Sequence, residues 1–308
     1  MHILVTGGTG FIGTALCARL QAEGHRVTVL TRDPASAERH FGGRVPVVGS
    51  LSILGGDNVP DAIVNLAGEN LAAHRWNERR KETFRDSRVG VTEQLLHYIA
   101  RAPGKPRVLV SGSAVGYYGA RGDEVVDELS PAGREYQSDL CVAWEAAALR
   151  AESSGVRVCL LRTGIVLGHG GALAQMLPPF KLGVGGRLGD GRQWMSWIHL
   201  EDEIGLILHL LTHQSLEGAF NATAPAPATN REFVKQLGGA LHRPAVLAMP
   251  APVVRLAVGE MAHLLLTGQR AIPKRTLDSG YRFRYPELRP ALDSVLRQPH
   301  SARPRASE

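Results

Sequence analysis

Residues 2–13 read His-Ile-Leu-Val-Thr-Gly-Gly-Thr-Gly-Phe-Ile-Gly and decide the fold. The apolar run at 2–6 predicts a buried strand at the start of the chain. Apolar side chains then recur at Ile12, Leu16 and Leu20, which is the spacing of one helix face. The stretch therefore predicts a strand that passes through a glycine-rich turn directly into a helix.

The glycines of this turn have the spacing of a dinucleotide-binding motif. Gly7 permits a tight turn, Gly10 lets a pyrophosphate approach the backbone, and Gly13 lets the helix pack on the strand. The free N–H groups at the helix start would receive the diphosphate. The alternative is a glycine turn that merely connects two elements, but strand, spacing and helix together favour binding. The predicted contacts are Gly7, Thr9, Gly10, Phe11, Ile12 and Gly13.

Short apolar runs alternate with helical stretches over the first two-thirds of the chain. Strands are predicted at 2–6, 27–31, 45–49, 62–66, 107–112 and 157–162, and long helices at about 82–102 and 138–153. Such alternation is typical of a parallel sheet covered by helices on both faces. We therefore predict an α/β fold with a doubly wound, mainly parallel Rossmann-type sheet, whose dinucleotide-binding domain spans residues 1–165.

The pattern changes after the sixth predicted strand. Glycines crowd residues 164–191, which predicts loops near a site. Further along, a helix is predicted at 230–241, a strand at 245–249 and a helical run at 252–266. We expect a small C-terminal substrate subdomain within 166–298, with 192–222 returning to the sheet, and a disordered tail at 299–308.

Composition narrows the function classes. The net charge of the 308 residues is +6, for which a phosphate-bearing cofactor is sufficient reason, and no nucleic-acid motif accompanies it. The three cysteines and twelve histidines show no disulfide framework or metal-ligand spacing, so no metal is predicted. Residues 2–6 are predicted to form a strand and do not have the basic-then-apolar pattern of a signal peptide. Charged residues interrupt the apolar run 253–266, which argues against a membrane-spanning helix there. We predict a cytoplasmic protein that binds neither nucleic acid nor membrane.

The end of the second predicted strand bears on cofactor choice. NAD-preferring sites usually place an acidic residue there, whereas Thr31-Arg32 places an arginine that can pair with a 2′-phosphate. Arg32 therefore favours NADP(H) over NAD. Asp33 follows directly, however, and the alternative that Arg32 is a solvated loop residue stays open.

Two further strand ends complete the predicted cofactor site. Small residues after the fourth strand let adenosine lie against the backbone at Leu66, Ala67 and Gly68, and Ser111 ends the fifth strand. Arg162 ends the sixth strand, where it could bind an anionic ligand or pair with a carboxylate of the second domain.

The glycine turn, the Thr31-Arg32 strand end and the small residues after the fourth strand occur in this order along the chain. In this order they resemble the short-chain dehydrogenase/reductase superfamily, in its extended branch with nucleotide-sugar epimerases. Later segments are similar to an atypical subgroup called epimerase family proteins, whose C-terminal part is a domain of unknown function. They read Gly-Ser-Ala-Val-Gly-Tyr-Tyr-Gly at 112–119, Val-Ala-Trp-Glu at 142–145, Arg-Thr-Gly-Ile-Val-Leu-Gly at 162–168, Trp-Met-Ser-Trp-Ile-His at 194–199 and Leu-Thr-Gly-Gln-Arg-Ala-Ile-Pro at 266–273. The resemblance covers residues 1–296.

The resemblance implies a catalytic serine, tyrosine and lysine, and the last two are missing. Ser113 matches the serine. Counting back from Glu145 by helical turns places Cys141 at the lysine position and Gln137 at the tyrosine position. Cysteine carries no positive charge and glutamine does not titrate, which puts ordinary carbonyl reduction and epimerisation in doubt.

Other phenols could supply the proton. Tyr136 is one residue off and points about 100° away around the helix, while Tyr117 and Tyr118 follow Ser113 closely. The leading hypothesis is an NADP(H)-dependent oxidoreductase or epimerase acting on an unidentified small molecule. The alternative is a non-catalytic regulatory protein that senses NADPH. Family analogy also suggests a homodimer through the helices near 82–102 and 138–153.

Overall fold

A computed structural model describes residues 1–72 and 75–297, except for the side chain of Asp57. The predicted tail at 299–308 lies outside the described residues. In the first half the elements are β1 (His2–Thr6), α1 (Phe11–Ala22), β2 (Arg26–Leu30), α2 (Pro34–Phe41), β3 (Val47–Val48), β4 (Ala62–Asn65), α3 (Glu78–Arg85), α4 (Val91–Arg101), β5 (Val108–Ala114), β6 (Val125–Val126) and α5 (Tyr136–Leu149).

The second half contains more short strands. Its elements are β7 (Arg157–Thr163), β8 (Ile165–Leu167), α6 (Gly171–Lys181), β9 (Gly186–Leu188), β10 (Trp194–Met195), β11 (Trp197–His199), α7 (Leu200–Thr212), β12 (Gly218–Ala222), β13 (Ala228–Thr229), α8 (Asn230–Leu241), β14 (Leu247–Met249), α9 (Ala251–Val258), α10 (Ala262–Leu266), β15 (Arg270–Ala271), α11 (Lys274–Asp278) and α12 (Leu288–Arg297).

Seven parallel strands form the central sheet in the order β12-β7-β5-β4-β1-β2-β3. Every residue of β1 is buried, as expected for a strand covered on both faces. Ile3 and Val5 pack in one core with Leu16 of α1, whereas Leu4 faces the opposite core with Leu95 of α4. The prediction of a doubly wound, mainly parallel Rossmann-type sheet is confirmed.

The helix predicted at 82–102 is longer and contains an irregular turn. It begins at Glu78, because the Asn77 side chain accepts the Arg80 N–H and caps the first turn. Between α3 and α4 the residues Asp86–Gly90 form a π-helical turn. A turn of this kind commonly marks a functional position in a helix, and here it carries Arg88.

The prediction of loops over residues 164–191 is wrong. This stretch contains β8, α6 and β9, and its glycines provide space as well as turns. A Cβ at Gly168 would lie 2.6 Å from the Phe11 ring, and one at Gly170 would lie 2.5 Å from it. The segment therefore needs glycine because it wraps around Phe11 at the start of α1.

The C-terminal part has a core of its own, built mainly from α6, α8 and α12. Helix α8 spans the predicted 230–241 because Thr229 and Glu232 form a capping box at its start. The predicted helix at 252–266 is instead two helices, α9 and α10, separated by a turn at Gly259–Met261. Over the described ranges 1–72 and 75–297, no helix is long and apolar enough to span a bilayer.

Candidate functional site

The turn between β1 and α1 requires glycine at two positions. Gly7 has a φ of 67°, and a Cβ there would lie 2.6 Å from the carbonyl carbon of Leu66. A Cβ at Gly13 would lie 2.7 Å from the Cα of Gly8. Gly10 donates its N–H to the Gly7 carbonyl at 3.0 Å and caps α1. The tight turn therefore brings the start of the helix close to the end of β4.

The start of α1 favours an anion. Its first turn contains no acidic residue, so no carboxylate of that turn offsets the positive end of the helix dipole. Thr9 and Gly10 are exposed, while Phe11 and Ile12 are half-buried beside them. Backbone N–H groups and the helix dipole together form a site of the kind that binds phosphate.

A buried hydrogen-bond network holds the strand ends beneath this turn. Thr6 Oγ1 donates to Asn65 Oδ1 at 2.6 Å, and Asn65 Nδ2 donates to Thr92 Oγ1 at 2.9 Å and to Ser111 Oγ at 3.4 Å. The Ala67 N–H donates to Thr6 Oγ1 at 3.2 Å. Ser111 is fully buried in this network, so it positions strands β4 and β5 and presents no surface to a ligand.

The ends of β2 and β4 are joined by an ion pair. Arg32 follows β2 and donates through Nη2 to Glu69 Oε1 at 2.9 Å. Glu69 follows Leu66, Ala67 and Gly68, of which the first two are half-buried and Gly68 is exposed. Thr31 donates its N–H to the Val48 carbonyl, which fixes the chain just before Arg32.

Arg88 places a second cation at the end of β4. Its guanidinium donates to the backbone carbonyls of Glu69 at 2.9 Å and Phe84 at 3.3 Å. The space that a Cβ on Gly68 would occupy lies 3.0 Å from the guanidinium carbon. Burial lowers the pKa of Arg88, although a guanidinium remains charged at neutral pH. A half-buried cation thus lies directly against the predicted cofactor segment.

At the end of β5, Ser113 is bound to a buried ion pair. Its hydroxyl donates to Glu145 Oε1 at 2.6 Å. Arg162 binds the same carboxylate with two hydrogen bonds of 2.8 Å, and the residues Glu145 and Arg162 are only 5% and 4% exposed. Burial alone would lower the pKa of Arg162, but its hydrogen bonds and charge pairing with Glu145 raise it. Arg162 therefore forms an ion pair, and its partner belongs to α5 rather than to the C-terminal part.

The positions of the missing tyrosine and lysine are buried. Gln137 and Cys141 lie on one face of α5, two turns and one turn before Glu145 respectively, and both are 5% exposed. Burial raises the pKa of the Cys141 thiol to about 11, so it is neutral at physiological pH. Within residues 1–72 and 75–297, Gln137 Nε2 has no hydrogen-bond partner. Neither side chain supplies the charge or the titratable proton of a Tyr–Lys pair.

The three tyrosines predicted as proton donors lie in different environments. Tyr118 is fully buried, donates to Asn221 Oδ1 at 2.6 Å and accepts from Arg162, and burial raises its pKa to about 12. The Tyr136 hydroxyl donates to the Lys81 carbonyl at 2.9 Å. Tyr117 is half-buried, and its ring centroid lies 3.5 Å from the guanidinium carbon of Arg162. Tyr117 alone combines partial exposure with direct contact to the Arg162–Glu145 pair.

One buried acid near the site escaped the sequence analysis. Glu203 of α7 is 0% exposed and accepts from Thr163 Oγ1 at 2.8 Å at the end of β7. Burial raises its pKa to about 8. The sequence does contain a sign of this buried acid. Glu203 lies on the same helix face as the apolar residues Ile207 and Leu211, where a charged side chain is unexpected.

The parallel sheet and the glycine turn at its carboxyl edge define a Rossmann-type protein of the short-chain dehydrogenase/reductase class. A sequence profile of the NAD dependent epimerase/dehydratase family matches residues 3–222, and the chain belongs to this family. Residues 249–295 match a domain of unknown function, DUF1731. The subgroup inferred from the sequence motifs is thereby confirmed.

Relatives with the same architecture span nearly the whole chain. The human epimerase family protein SDR39U1 is 42% identical over 303 residues, covering 96% of this chain and all of that protein. A chloroplastic homologue from Arabidopsis thaliana is 40% identical over 303 residues, covering 96% and 87% of the two chains. A crystal structure of human SDR39U1 with NADPH superposes with a TM-score of 0.87 at 40% identity, covering 96% of this chain and 99% of that one.

Proposed function

We propose that this protein binds NADP(H) along the carboxyl edge of the sheet, with the diphosphate at the start of α1. The observation that carries the proposal is the glycine turn, in which positions 7 and 13 have no room for a side chain. Gly10, Thr9 and the exposed backbone beside them would face the diphosphate. Leu66 and Ala67 would form the floor under the adenosine half of the ligand.

Two cations support NADP(H) as the preferred cofactor. Arg32 takes the place where NAD-preferring proteins have an acidic residue, and its exposed side chain can bind a 2′-phosphate. Arg88 adds a positive charge against Gly68. The human relative, 40% identical in its crystal structure, was crystallised with NADPH, which further supports the preference.

Calorimetric titration of the purified protein with NADPH and NADH tests this proposal. We expect NADPH to bind more tightly than NADH, and Arg32→Ala to remove the difference by weakening NADPH alone. Arg39→Ala, an arginine of α2 in the last turn, is the control for lost positive charge. Equal affinity of the wild type for both dinucleotides would refute the preference, and failure to bind either would refute the proposed function.

We further infer that the protein acts through cofactor binding, as an NADP(H)-responsive regulatory protein. The observation behind this inference is that Gln137 and Cys141 replace the acid–base pair and that Ser113 already donates to Glu145. The test is incubation of the protein with NADPH and a panel of aldehydes, ketones and nucleotide sugars. We expect NADPH binding with no substrate-dependent loss of its absorbance at 340 nm.

A second candidate is an oxidoreductase or epimerase acting on a small molecule, and the position of Tyr117 favours it. A nicotinamide cofactor supplies or accepts a hydride. Arg162 lies against the Tyr117 ring and would hold this half-buried phenol beside the Arg162–Glu145 pair. Tyr117 would then exchange the proton with the substrate oxygen. Substrate-dependent NADPH oxidation that Tyr117→Phe abolishes while NADPH still binds would establish this candidate and exclude the regulatory one.

Three further expectations come from the family analogy and the sequence pattern. A small-molecule ligand, a homodimer and a cytoplasmic location stay predictions. Size-exclusion chromatography with light scattering would decide the oligomeric state, and fractionation of the source cells would decide the location.

A further inference from the structure

We propose that Glu69 limits the preference for NADPH over NADH by competing with the 2′-phosphate for Arg32. This inference rests on the proposed function and assigns a role to an acidic residue at the mouth of the same site. The contact behind it is the 2.9 Å ion pair between Arg32 Nη2 and Glu69 Oε1.

The ion pair crosses the path of the cofactor. Strand β1 lies between β2 and β4 in the sheet, and Arg32 and Glu69 follow the two outer strands of this trio. Because neighbouring strands are about 4.8 Å apart, β2 and β4 are separated by roughly 10 Å. The ion pair spans this gap above the end of β1. The glycine turn begins at that end. A dinucleotide laid along the turn therefore meets both side chains.

Glu69 is held in this position by its backbone. Its N–H donates to Ser87 Oγ at 3.0 Å, and its carbonyl accepts from Arg88 Nη2 at 2.9 Å. The Glu69 side chain is 32% exposed, compared with 83% for the Arg32 side chain. Arg32 is therefore the more exposed partner, whereas Glu69 is anchored through its backbone next to Gly68.

The two dinucleotides meet this pair differently. A phosphate monoester carries about −1.5 to −2 charges at pH 7 and would attract Arg32 more strongly than one carboxylate does. The ion pair must then break, and the Glu69 carboxylate is left close to a second anion. With NADH the pair persists, and Glu69 can accept a ribose hydroxyl as the acidic residue of an NAD-preferring site does.

The test compares Glu69→Gln with wild type by calorimetric titration of NADPH and NADH at low ionic strength. Since an exposed ion pair has a modest free energy, we expect NADPH to bind about two- to fivefold more tightly and NADH not to gain. The gain should shrink in 0.5 M NaCl. Glu23→Gln is the matched control, because Glu23 is 36% exposed and pairs with Arg19 at the far end of α1.

A second comparison separates competition for Arg32 from plain repulsion of the phosphate. In an Arg32→Ala background, Glu69→Gln should produce a smaller gain for NADPH than it does in wild type. An undiminished gain, an equal gain for NADH or no gain in the single variant would each overturn the role of Glu69. Those outcomes presuppose that the wild type binds NADPH, and its failure to do so would instead refute the proposed function.

Discussion

The Ser113 hydroxyl donates a 2.6 Å hydrogen bond to Glu145, a carboxylate that Arg162 binds on two atoms. Because a hydroxyl has a single proton, Ser113 in this arrangement offers a ligand only its lone pairs. A substrate carbonyl oxygen requires a donor, so this serine is set to receive a hydrogen bond rather than to polarise a carbonyl. In this arrangement Ser113 does not have the free hydroxyl proton that polarising a substrate carbonyl requires.

Gly13→Ala should strongly weaken dinucleotide binding. The added methyl would overlap the backbone of Gly7 and Gly8, so the start of α1 must move away from the turn. We expect at least a tenfold loss of NADPH affinity by calorimetry. The control is Gly24→Ala, at a φ of 78° with open space around it, which should cost about 1 kcal/mol of stability without changing affinity. Unchanged affinity in Gly13→Ala would contradict the proposed diphosphate site.

Arg162→Met should destabilise the fold because it leaves the Glu145 carboxylate buried without its partner. A broken buried ion pair typically costs about 3–5 kcal/mol, and urea unfolding would measure the loss. Adding Glu145→Gln to this variant should restore part of the stability, since the buried charge is then gone. A single variant as stable as wild type would show that the pair does not hold the end of β7 to α5.

The sequence predicted the elements whose signals are local. The strand at 2–6, the glycine turn and helix α8 depend on neighbouring residues, such as the capping box of Thr229 and Glu232. The loops expected at 164–191 were wrong, because the packing of Gly168 and Gly170 around Phe11 arises only in the folded chain.

Contacts within the candidate site also depend on the folded chain and could not be predicted from local sequence. Sequence reasoning identified Ser113, Glu145 and Arg162 one by one, as a serine, a helix landmark and a strand end. Nothing in their spacing shows that α5 and β7 bring them into one hydrogen-bonded group. The Arg32–Glu69 pair is likewise created by strand order, since β1 separates the two strands that carry it.

Glu203→Gln should change how stability depends on pH between about 4.5 and 8. Burial raises the pKa of Glu203 to about 8, above its ordinary value of 4.5, so the folded state retains a proton that the unfolded state releases. Its contribution is complete below pH 4.5 and is lost as pH rises to about 8. Urea unfolding at pH 5, 6.5 and 8.5 should show wild type losing stability relative to the variant. A constant difference across this range would contradict a buried, protonated acid.

His199→Asn should change the acidic side of the same profile. Burial lowers the pKa of His199 to about 4, and its Nδ1 accepts the Glu201 N–H at the start of α7. This contribution is present above pH 6.5 and is lost as pH falls towards 4, because the unfolded state takes up the proton first. Asparagine keeps the capping acceptor but does not titrate. We expect the variant to lose less stability than wild type between pH 7 and 4.5, as measured by urea unfolding; a parallel loss would contradict the assignment.

In the proposed complex NADP(H) lies along the carboxyl edge of the sheet. The most direct measurement is a crystal structure of the full chain grown with NADPH. We expect the diphosphate within hydrogen-bond distance of the N–H groups at the start of α1, and the 2′-phosphate on Arg32, whose ion pair with Glu69 is then broken. A dinucleotide bound away from the glycine turn, or a 2′-phosphate with no contact to Arg32, would contradict it.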